Sequence, residues 1–167
     1  MTTDFLPTAY EIPETESNYL RFKKEGSYTF RVLGSAIVGF EYWTRENKPI
    51  RSKVAWEEVP EDAKLDKNGN FQKHFWAFLV YDYESKKVKI LELTQKTIME
   101  TIKTYVSNPK WGNPTGYDIT VTRKGMGFGD TEYTVIAEPH SDTPMLNVPD
   151  IKLDALYEGL DPFVVKE

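Results

Sequence analysis

The chain has 167 residues, a formal net charge of −5 and no cysteine. The length predicts one domain that buries its own hydrophobic core without a metal or disulfides. The lack of cysteine excludes thiolate catalysis and cysteine-based zinc sites. The N-terminus lacks the basic start and apolar run of a targeting signal, and no stretch approaches the ~20 apolar residues of a membrane span. We therefore expect a soluble protein that contacts no membrane.

The charge is unevenly distributed along the chain. Residues 1–20 contribute −4 and contain no Lys or Arg, residues 138–167 contribute −5, and residues 21–137 contribute +4. A basic body between acidic ends points to a polyanionic partner, although the acidic ends could serve only solubility. We expect an acidic N-terminal arm over 1–20, a binding domain over 21–139 and a C-terminal extension over 140–167.

Apolar and aromatic runs predict three strands in the first half of the domain. Residues 27–33 and 36–43 leave almost no room for a loop, so we expect one long strand bent at Gly34. Residues 74–83, HFWAFLVYDY, are apolar on both faces and predict a strand covered on both sides. A turn at 84–86 leads to a third strand over 87–93.

Two helices are predicted. The first follows the N-cap Thr94, carries apolar residues at helical spacing and ends at Asn108-Pro109. We expect it to pack on the core. The second is short and amphipathic, with apolar residues from Leu153 to Leu160. It docks on the domain itself or, alternatively, on another subunit of a homodimer or on a partner protein.

The last two strands form a hairpin. Alternation predicts strands over 117–124 and 131–138, joined by the loop Gly-Met-Gly-Phe-Gly at 125–129. Loops normally keep large apolar side chains out of water. Met126 and Phe128 therefore either fold back on the hairpin or face a partner.

The connection over residues 44–72 is the most polar part of the domain, and connections of this length are usually functional or mobile. Basic and aromatic side chains are interleaved along it. That pattern suits single-stranded nucleic acid, because phosphates attract cations and unstacked bases need flat partners. Several acids dilute the signal, and a short helix over residues 60–65 with solvated charges is the alternative interpretation.

The order of one long strand, a hairpin, a helix and a second hairpin is that of the OB-fold. We therefore expect a mainly β domain, a five-stranded Greek-key barrel with one helix between strands 3 and 4, plus the short C-terminal helix. OB-folds bind ligands on the face of strands 2 and 3 and with the loops between strands 1 and 2 and strands 4 and 5. Here those loops are 44–72 and 125–129, so the features identified separately fall on one side of the barrel.

Three short motifs resemble those of the single-stranded DNA-binding proteins of tailed bacteriophages. In that family W-G-[DN]-P precedes the fourth strand, R-x-G follows it and D-T-x-Y begins the fifth. This chain has Trp111 to Pro114, Arg123 to Gly125, and Asp130 to Tyr133. The resemblance covers about residues 20–139. It implies an OB-fold that coats single-stranded DNA in phage DNA replication, recombination or repair, in the cytoplasm of the infected bacterial host.

Two features of that family are not carried over. Some members hold structural zinc through cysteine and histidine, whereas this chain has two histidines and no cysteine, so no cofactor is expected. Many members end in a strongly acidic tail that finishes in Phe and recruits replication enzymes. Here the end reads DPFVVKE, with Phe163 but few acids. Phage replication or recombination proteins are partners that the resemblance suggests and this C-terminus does not itself indicate.

The leading hypothesis is sequence-tolerant, non-catalytic binding of single-stranded DNA, with aromatic rings stacked on bases and basic groups on phosphates. The aromatic candidates are Trp43, Trp56, Phe71, Trp76, Tyr81 and Phe128. The basic candidates are Arg45, Lys48, Arg51, Lys53, Lys73, Lys87, Lys89, Arg123 and Lys124. For Trp76, a position in the core is the alternative.

The second hypothesis is a protein-interaction adaptor built on an OB-fold without DNA binding, which the negative net charge and the apolar loop would suit. An enzyme is not expected, because the chain has only His74 and His140, no nucleophile motif and no phosphate-binding loop. Asp118 and Asp130 flank the last hairpin and are interpreted as structural. No metal site is expected, because no set of converging carboxylates can be placed.

Overall fold

The computed structural model describes residues 5–10, 18–127, 129–144, 148 and 150–163. In chain order their strands are β1 (Tyr19–Leu20), β2 (Gly26–Val32), β3 (Ile37–Trp43), β4 (Pro49–Ser52), β5 (Gln72–Asp82), β6 (Lys87–Leu93), β7 (Tyr117–Lys124) and β8 (Glu132–His140). The helix α1 spans Lys96–Ser107, and two short 3₁₀-helices span Pro114–Gly116 and Leu153–Glu158. The prediction of a mainly β fold with one α-helix is confirmed.

The eight strands belong to one sheet. Its main order is β1, β6, β5, β2, β7, β8, while β3 pairs with β5 and carries β4 on its other edge. The β1–β6 pair is parallel and the remaining pairs are antiparallel. In the part of the chain that the structure describes, β1 and β8 do not pair, so the sheet does not close. The expected five-stranded barrel is corrected to an open sheet, because β1 occupies the edge of β6 at which a barrel would close.

The predicted long first strand is divided into β2 and β3, which follow one another along the same edge of β5. From Val32 to Ile37 the chain advances five residues, while their partners Val80 and Ala77 are three residues apart. The two extra residues form the bend. Gly34 lies in it with open space around the position of a Cβ atom, so the bend itself does not require glycine there.

Glycine is required at Gly39 in β3. A Cβ atom at this position would lie 2.3 Å from the carbonyl oxygen of Ser52 and 3.2 Å from the ring of Phe75. Both distances are too short for ordinary contact. Gly39 thus lets β4 approach β3 closely over the ring of Phe75.

The polar connection is more ordered than its composition suggests. It contains β4, which forms a hairpin with β3, and a bridge between Thr44 and Ala63. The alternative of a short helix over residues 60–65 is wrong. This stretch forms a turn in which the N–H of Ala63 donates to the carbonyl oxygen of Pro60 at 3.1 Å.

The helix α1 has the predicted length and apolar face, with Ile98, Met99 and Ile102 buried. Its start differs from the prediction. The N-cap position is Gln95 and makes no side-chain capping bond, because Thr94 still belongs to the chain leaving β6. The helix ends at Ser107, directly before the predicted stop.

Two hydrophobic clusters cover the two faces of β5. The main core joins one face of β2, β5, β6 and β7 with α1 and includes Phe30, Phe78, Val80, Ile98 and Ile119. The second cluster lies on the other face, where Phe75, Ala77 and Ile90 pack against Leu156 of the C-terminal 3₁₀-helix. The prediction that the strand at residues 74–83 is covered on both faces is confirmed for β5. Its second face packs against the C-terminal segment of the same chain.

Candidate nucleic-acid interface

A groove of about 900 Å³ crosses the sheet between the β3–β4 hairpin, the end of β6 and the β7–β8 hairpin. Among the described residues that line it, basic side chains outnumber acidic ones by six to three. The basic residues are Arg21, Lys23, Lys48, Arg51, Lys73 and Arg123, and the acidic ones are Glu41, Glu92 and Asp161. Its aromatic residues are Tyr19, Phe22, Trp43 and Tyr133. The groove combines local positive charge with flat rings in a protein of negative net charge.

The β3–β4 hairpin forms one wall of the groove. Trp43 is the last residue of β3, lies opposite Pro49 of β4 and is 42% exposed. Lys48 in the adjoining turn has a side chain that is 74% exposed, and Lys73 at the start of β5 is exposed as well. The structure therefore places a flat indole ring and two accessible cations at one end of the groove.

The segment that contains β1 forms the opposite wall. Arg21 and Lys23 are exposed there, and the Arg21 guanidinium lies 5.5 Å from the centre of the Tyr19 ring. These two bases were not among the predicted residues. The sequence could have indicated them, because Arg21, Lys23 and Lys24 form a basic cluster directly after an N-terminal stretch without any Lys or Arg.

Arg51 lies in the groove floor but is engaged with carboxylates. Its Nη2 donates to Oε2 of Glu92 at 2.7 Å, and its Nε lies 3.4 Å from Oε2 of Glu41 without hydrogen-bond geometry. The side chain is 9% exposed. Arg51 thus pairs with Glu92 beneath the groove and offers little of its charge to a phosphate.

Glu41 responds to the same surroundings. Burial, together with a hydrogen bond to Glu92 and the charge of Glu92, raises its pKa to about 8, although Arg51 and Lys73 act in the opposite direction. At neutral pH the uncharged form is therefore favoured. A protonated Glu41 does not repel a polyanion in the groove.

Arg123 joins the last hairpin to the N-terminal wall. Its Nε donates to the carbonyl oxygen of Gly125 at 3.1 Å, and its Nη1 donates to the carbonyl oxygen of Phe22. The N–H of Gly125 donates to Oε1 of Glu25 at 2.6 Å. This predicted residue lines the groove and also holds two of its walls together.

A smaller cleft of about 250 Å³ opens beside the groove and contains the predicted residues Trp43, Phe71 and Lys73. Three other predicted residues of the same connection line neither the groove nor the cleft. Arg45 donates to the carbonyl oxygen of Glu61 at 2.7 Å, the Lys53 ammonium lies 5.4 Å from the Tyr157 ring centre, and Trp56 packs edge-on against Tyr42. Lys124 is exposed beside Arg123.

Four further candidates, Trp76, Tyr81, Lys87 and Lys89, do not line the groove. Trp76 packs against the main core, which agrees with the alternative stated for it. Tyr81 lies eight residues beyond Lys73 on β5, about 26 Å away at ~3.3 Å per residue. Lys89 pairs with Asp82 at 3.3 Å, and Lys87 lies opposite Asp82 in the sheet. Phe128 lies outside the described residues. DNA contact by these residues stays a prediction.

The loop of the last hairpin carries one described apolar side chain, Met126, which is 57% exposed. Met126 does not fold back on the hairpin. This applies to Met126 alone, because Phe128, the other apolar residue of the loop, lies outside the described residues.

Asp118 belongs to a buried network rather than to a site. Its Oδ1 accepts from Arg31 Nε at 2.7 Å and from the Tyr83 hydroxyl at 2.8 Å. Burial and the hydrogen bond to Asp118 raise the pKa of Tyr83 to about 12.

Among the described residues, no group of three or more His, Asp or Glu side chains is placed to hold a metal ion. None of the helices that these residues form has the length and apolarity to cross a membrane.

Comparison with known proteins adds one relative. No family model and no solved structure matches the chain. The chain is similar to a protein of Escherichia phage T5 named "Probable ssDNA-binding protein", with 34% identity over 141 residues. The match covers 70% of this chain and 53% of the relative, so the chain spans about half of that protein's length. This relationship confirms the resemblance to phage single-stranded DNA-binding proteins.

Proposed function

We propose that this protein binds single-stranded DNA in the groove, with little sequence preference and without catalysis. The observation that carries the proposal is the lining of the groove, which combines six basic side chains, five of them apart from the carboxylate-bound Arg51, with the exposed Trp43. Such grooves follow the phosphate backbone by charge and hold bases by stacking, which every base permits. The name of the phage T5 relative supports the same ligand.

We further propose that the domain is an open variant of the OB-fold. The pairs β5–β6, β2–β5, β2–β7 and β7–β8 join the predicted strands in the order expected of that fold. The groove lies beside the β3–β4 hairpin and the β7–β8 hairpin, which occupy the positions of the loops that OB-folds use for ligands.

The biological role that we propose is the coating of single-stranded DNA in phage replication, recombination or repair, inside the infected bacterial cell. Replication or recombination proteins are the further partners proposed. Sequence-tolerant binding suits such a role, because a protein that coats single-stranded DNA must bind whatever sequence is exposed during replication, recombination or repair.

The test is a fluorescence titration with a dT oligonucleotide of about 30 nucleotides at several salt concentrations. We expect saturable quenching of tryptophan fluorescence, because Trp43 lies at the groove surface. The logarithm of the binding constant should fall linearly with the logarithm of salt, by about 0.7 per phosphate contacted. Absence of any response at low salt would contradict DNA binding.

A pair of double variants tests the location. Lys48→Ala with Lys73→Ala removes two accessible charges from the groove and should reduce the salt slope by about 1.4. Lys103→Ala with Lys110→Ala removes two exposed charges outside the groove and should leave the slope unchanged. Equal effects of the two double variants would show that the DNA does not lie in this groove.

The second candidate function is a protein-interaction adaptor, and the exposed Met126 is the observation that favours it. On this view the apolar tip of the last hairpin binds a partner protein. It becomes the preferred function if the protein ignores oligonucleotides at low salt.

A further inference from the structure

The cleft beside the groove has a lining of its own. It shares Glu41, Trp43 and Lys73 with the groove. Phe71, Asn70 and Lys64 line the cleft and not the groove. Because Trp43 belongs to both cavities, a chain that lies in the groove passes the mouth of the cleft.

The walls of the cleft are fixed by backbone hydrogen bonds. The N–H of Lys64 donates to the carbonyl oxygen of Trp43 at 2.8 Å, which ties the returning loop to the end of β3. On the other side, Oδ1 of Asp66 accepts from the N–H groups of Asn68 and Asn70 at 2.8 and 2.9 Å. A cavity built in this way needs little ordering when a ligand enters.

The size of the cleft limits what it can hold. Pockets for drug-sized ligands have roughly 300–1,000 Å³, and this cleft has about 250 Å³. It is therefore suited to one planar ring system rather than to a stack of several bases.

The chemistry of the lining suits such a ring. Trp43 and Phe71 contribute aromatic rings to the lining, and the Asn70 carboxamide can both donate and accept hydrogen bonds. An amide of this kind can pair with the polar edge of any base. Of the two acids in the lining, Asp66 accepts from backbone amides, and Oε2 of Glu41 lies 3.4 Å from Nε of Arg51 without hydrogen-bond geometry.

We propose that the cleft is a pocket for a single nucleobase: one base of a DNA strand in the groove leaves the stack and packs against Trp43 and Phe71, with its polar edge at Asn70. The inference rests on the proposed function. It adds that one position of the bound strand is held differently from its neighbours.

The experiment uses dT oligonucleotides of about ten nucleotides, within the range of OB-fold site sizes, each with one abasic position. Affinities are measured for the full chain and for Trp43→Ala, Phe71→Leu and Asn70→Ala. In the unmodified protein we expect one position, or two adjacent ones, at which the missing base lowers affinity about tenfold, the order of one stacked base. In Trp43→Ala and Phe71→Leu that penalty should fall to about twofold or less, since the base and the ring act as a coupled pair.

Two comparisons keep the test specific. Trp43→Phe retains a flat face and should retain most of the penalty. Tyr133→Leu alters the groove but not the cleft, so it should weaken all oligonucleotides and leave the position-specific penalty intact.

The outcomes separate the two proposals. Binding of the intact oligonucleotide with a uniform abasic penalty, or with a penalty unchanged in Phe71→Leu, would overturn the nucleobase pocket and leave DNA binding standing. Failure to bind any oligonucleotide would overturn both.

Discussion

Arg31 has a fully buried side chain that links separate parts of the sheet. Besides Asp118, its guanidinium donates to the carbonyl oxygens of Thr115 and Ser141, each at 3.2 Å. These contacts join β2 to the segments that precede β7 and follow β8. The guanidinium also donates to the hydroxyls of Ser141 and Thr143, and these five acceptor atoms compensate for the cost of burying the cation.

Replacement of Arg31 by methionine should strongly destabilise the fold. The apolar side chain removes the charged partner of Asp118, which keeps the Tyr83 hydroxyl as a donor, and one donor from each of the carbonyl oxygens of Thr115 and Ser141. Loss of one partner of a buried ion pair costs about 3–5 kcal/mol. Denaturant-induced unfolding measures the change in free energy. Arg45→Met is the matched control, because Arg45 is exposed and makes one side-chain bond, and it should cost less than about 1 kcal/mol. Equal losses in the two variants would contradict this role of Arg31.

Single residues also show what sequence reasoning about the site can and cannot foresee. Trp43, Lys48 and Lys73 occur in an interleaved pattern near a strand end and line one groove, and their contact with DNA stays a prediction. Arg51 has the same local pattern, yet Glu41 and Glu92 approach it from two other strands. The pairing of the strands determines whether Arg51 can contact a phosphate or is held in a buried ion pair. The local sequence around Arg51 does not show which strands will pair.

Among the elements, the C-terminal 3₁₀-helix stands out because it supplies the second cover of the sheet. Leu156 is 3% exposed and packs with Phe75 and Ile90, while the hydroxyl of Tyr157 donates to the carbonyl oxygen of Val38. The same segment contributes Gly159, Leu160 and Asp161 to the groove. Stability and the shape of the proposed DNA site are therefore linked through this element.

Two leucines four residues apart test the role of this element. Leu156→Ala should lower the free energy of unfolding by about 2–3 kcal/mol, because it leaves a cavity against the sheet. Leu160→Ala removes the same atoms from a side chain that is 51% exposed and should cost less than about 1 kcal/mol. Thermal or denaturant unfolding distinguishes them. If the two variants were equally stable, the second cluster would not contribute to the fold.

The elements that the sequence predicts are those with strong local patterns. The strand over 117–124 has the predicted bounds, and the helix ends at the predicted stop. β1 and β4 were missed for a common reason. Tyr19–Leu20 is a strand only because β6 offers it a parallel edge, and Pro49–Ser52 lies in a polar connection that Gly39 allows to pack closely.

At the scale of the whole molecule, one ionisable cluster ties distant parts of the chain together. Glu41 of β3, Arg51 of β4 and Glu92 of β6 meet under the groove, and Lys73 of β5 acts on Glu41 as well. The cluster lies where the sheet would bear a polyanion. Its protonation state therefore influences both the stability of the fold and the field at the proposed DNA site.

The stability of the protein should depend on pH through Glu41. Its folded-state pKa is raised from 4.5 to about 8, so the protonated carboxyl favours the fold. That contribution is complete below about pH 4.5 and is lost as the pH rises through about 8. Glu41→Gln imitates the protonated form. We expect the melting temperature of the variant, relative to that of the unmodified protein, to increase as the pH is raised from 4.5 to 9. A difference between the two melting temperatures that does not vary with pH would contradict the raised pKa of Glu41.

The pairing of β2 with β7 has a consequence for how the chain is made. Thr29 and Thr120, opposite each other in that pair, are 91 residues apart. A ribosome adds about 5–20 residues per second, so roughly 5–18 s separate the synthesis of these two strands. During that interval the nascent chain holds β2 with one edge uncovered. Slower translation between residues 29 and 120 lengthens this exposure, and the yield of native protein should depend on how quickly that part of the message is read.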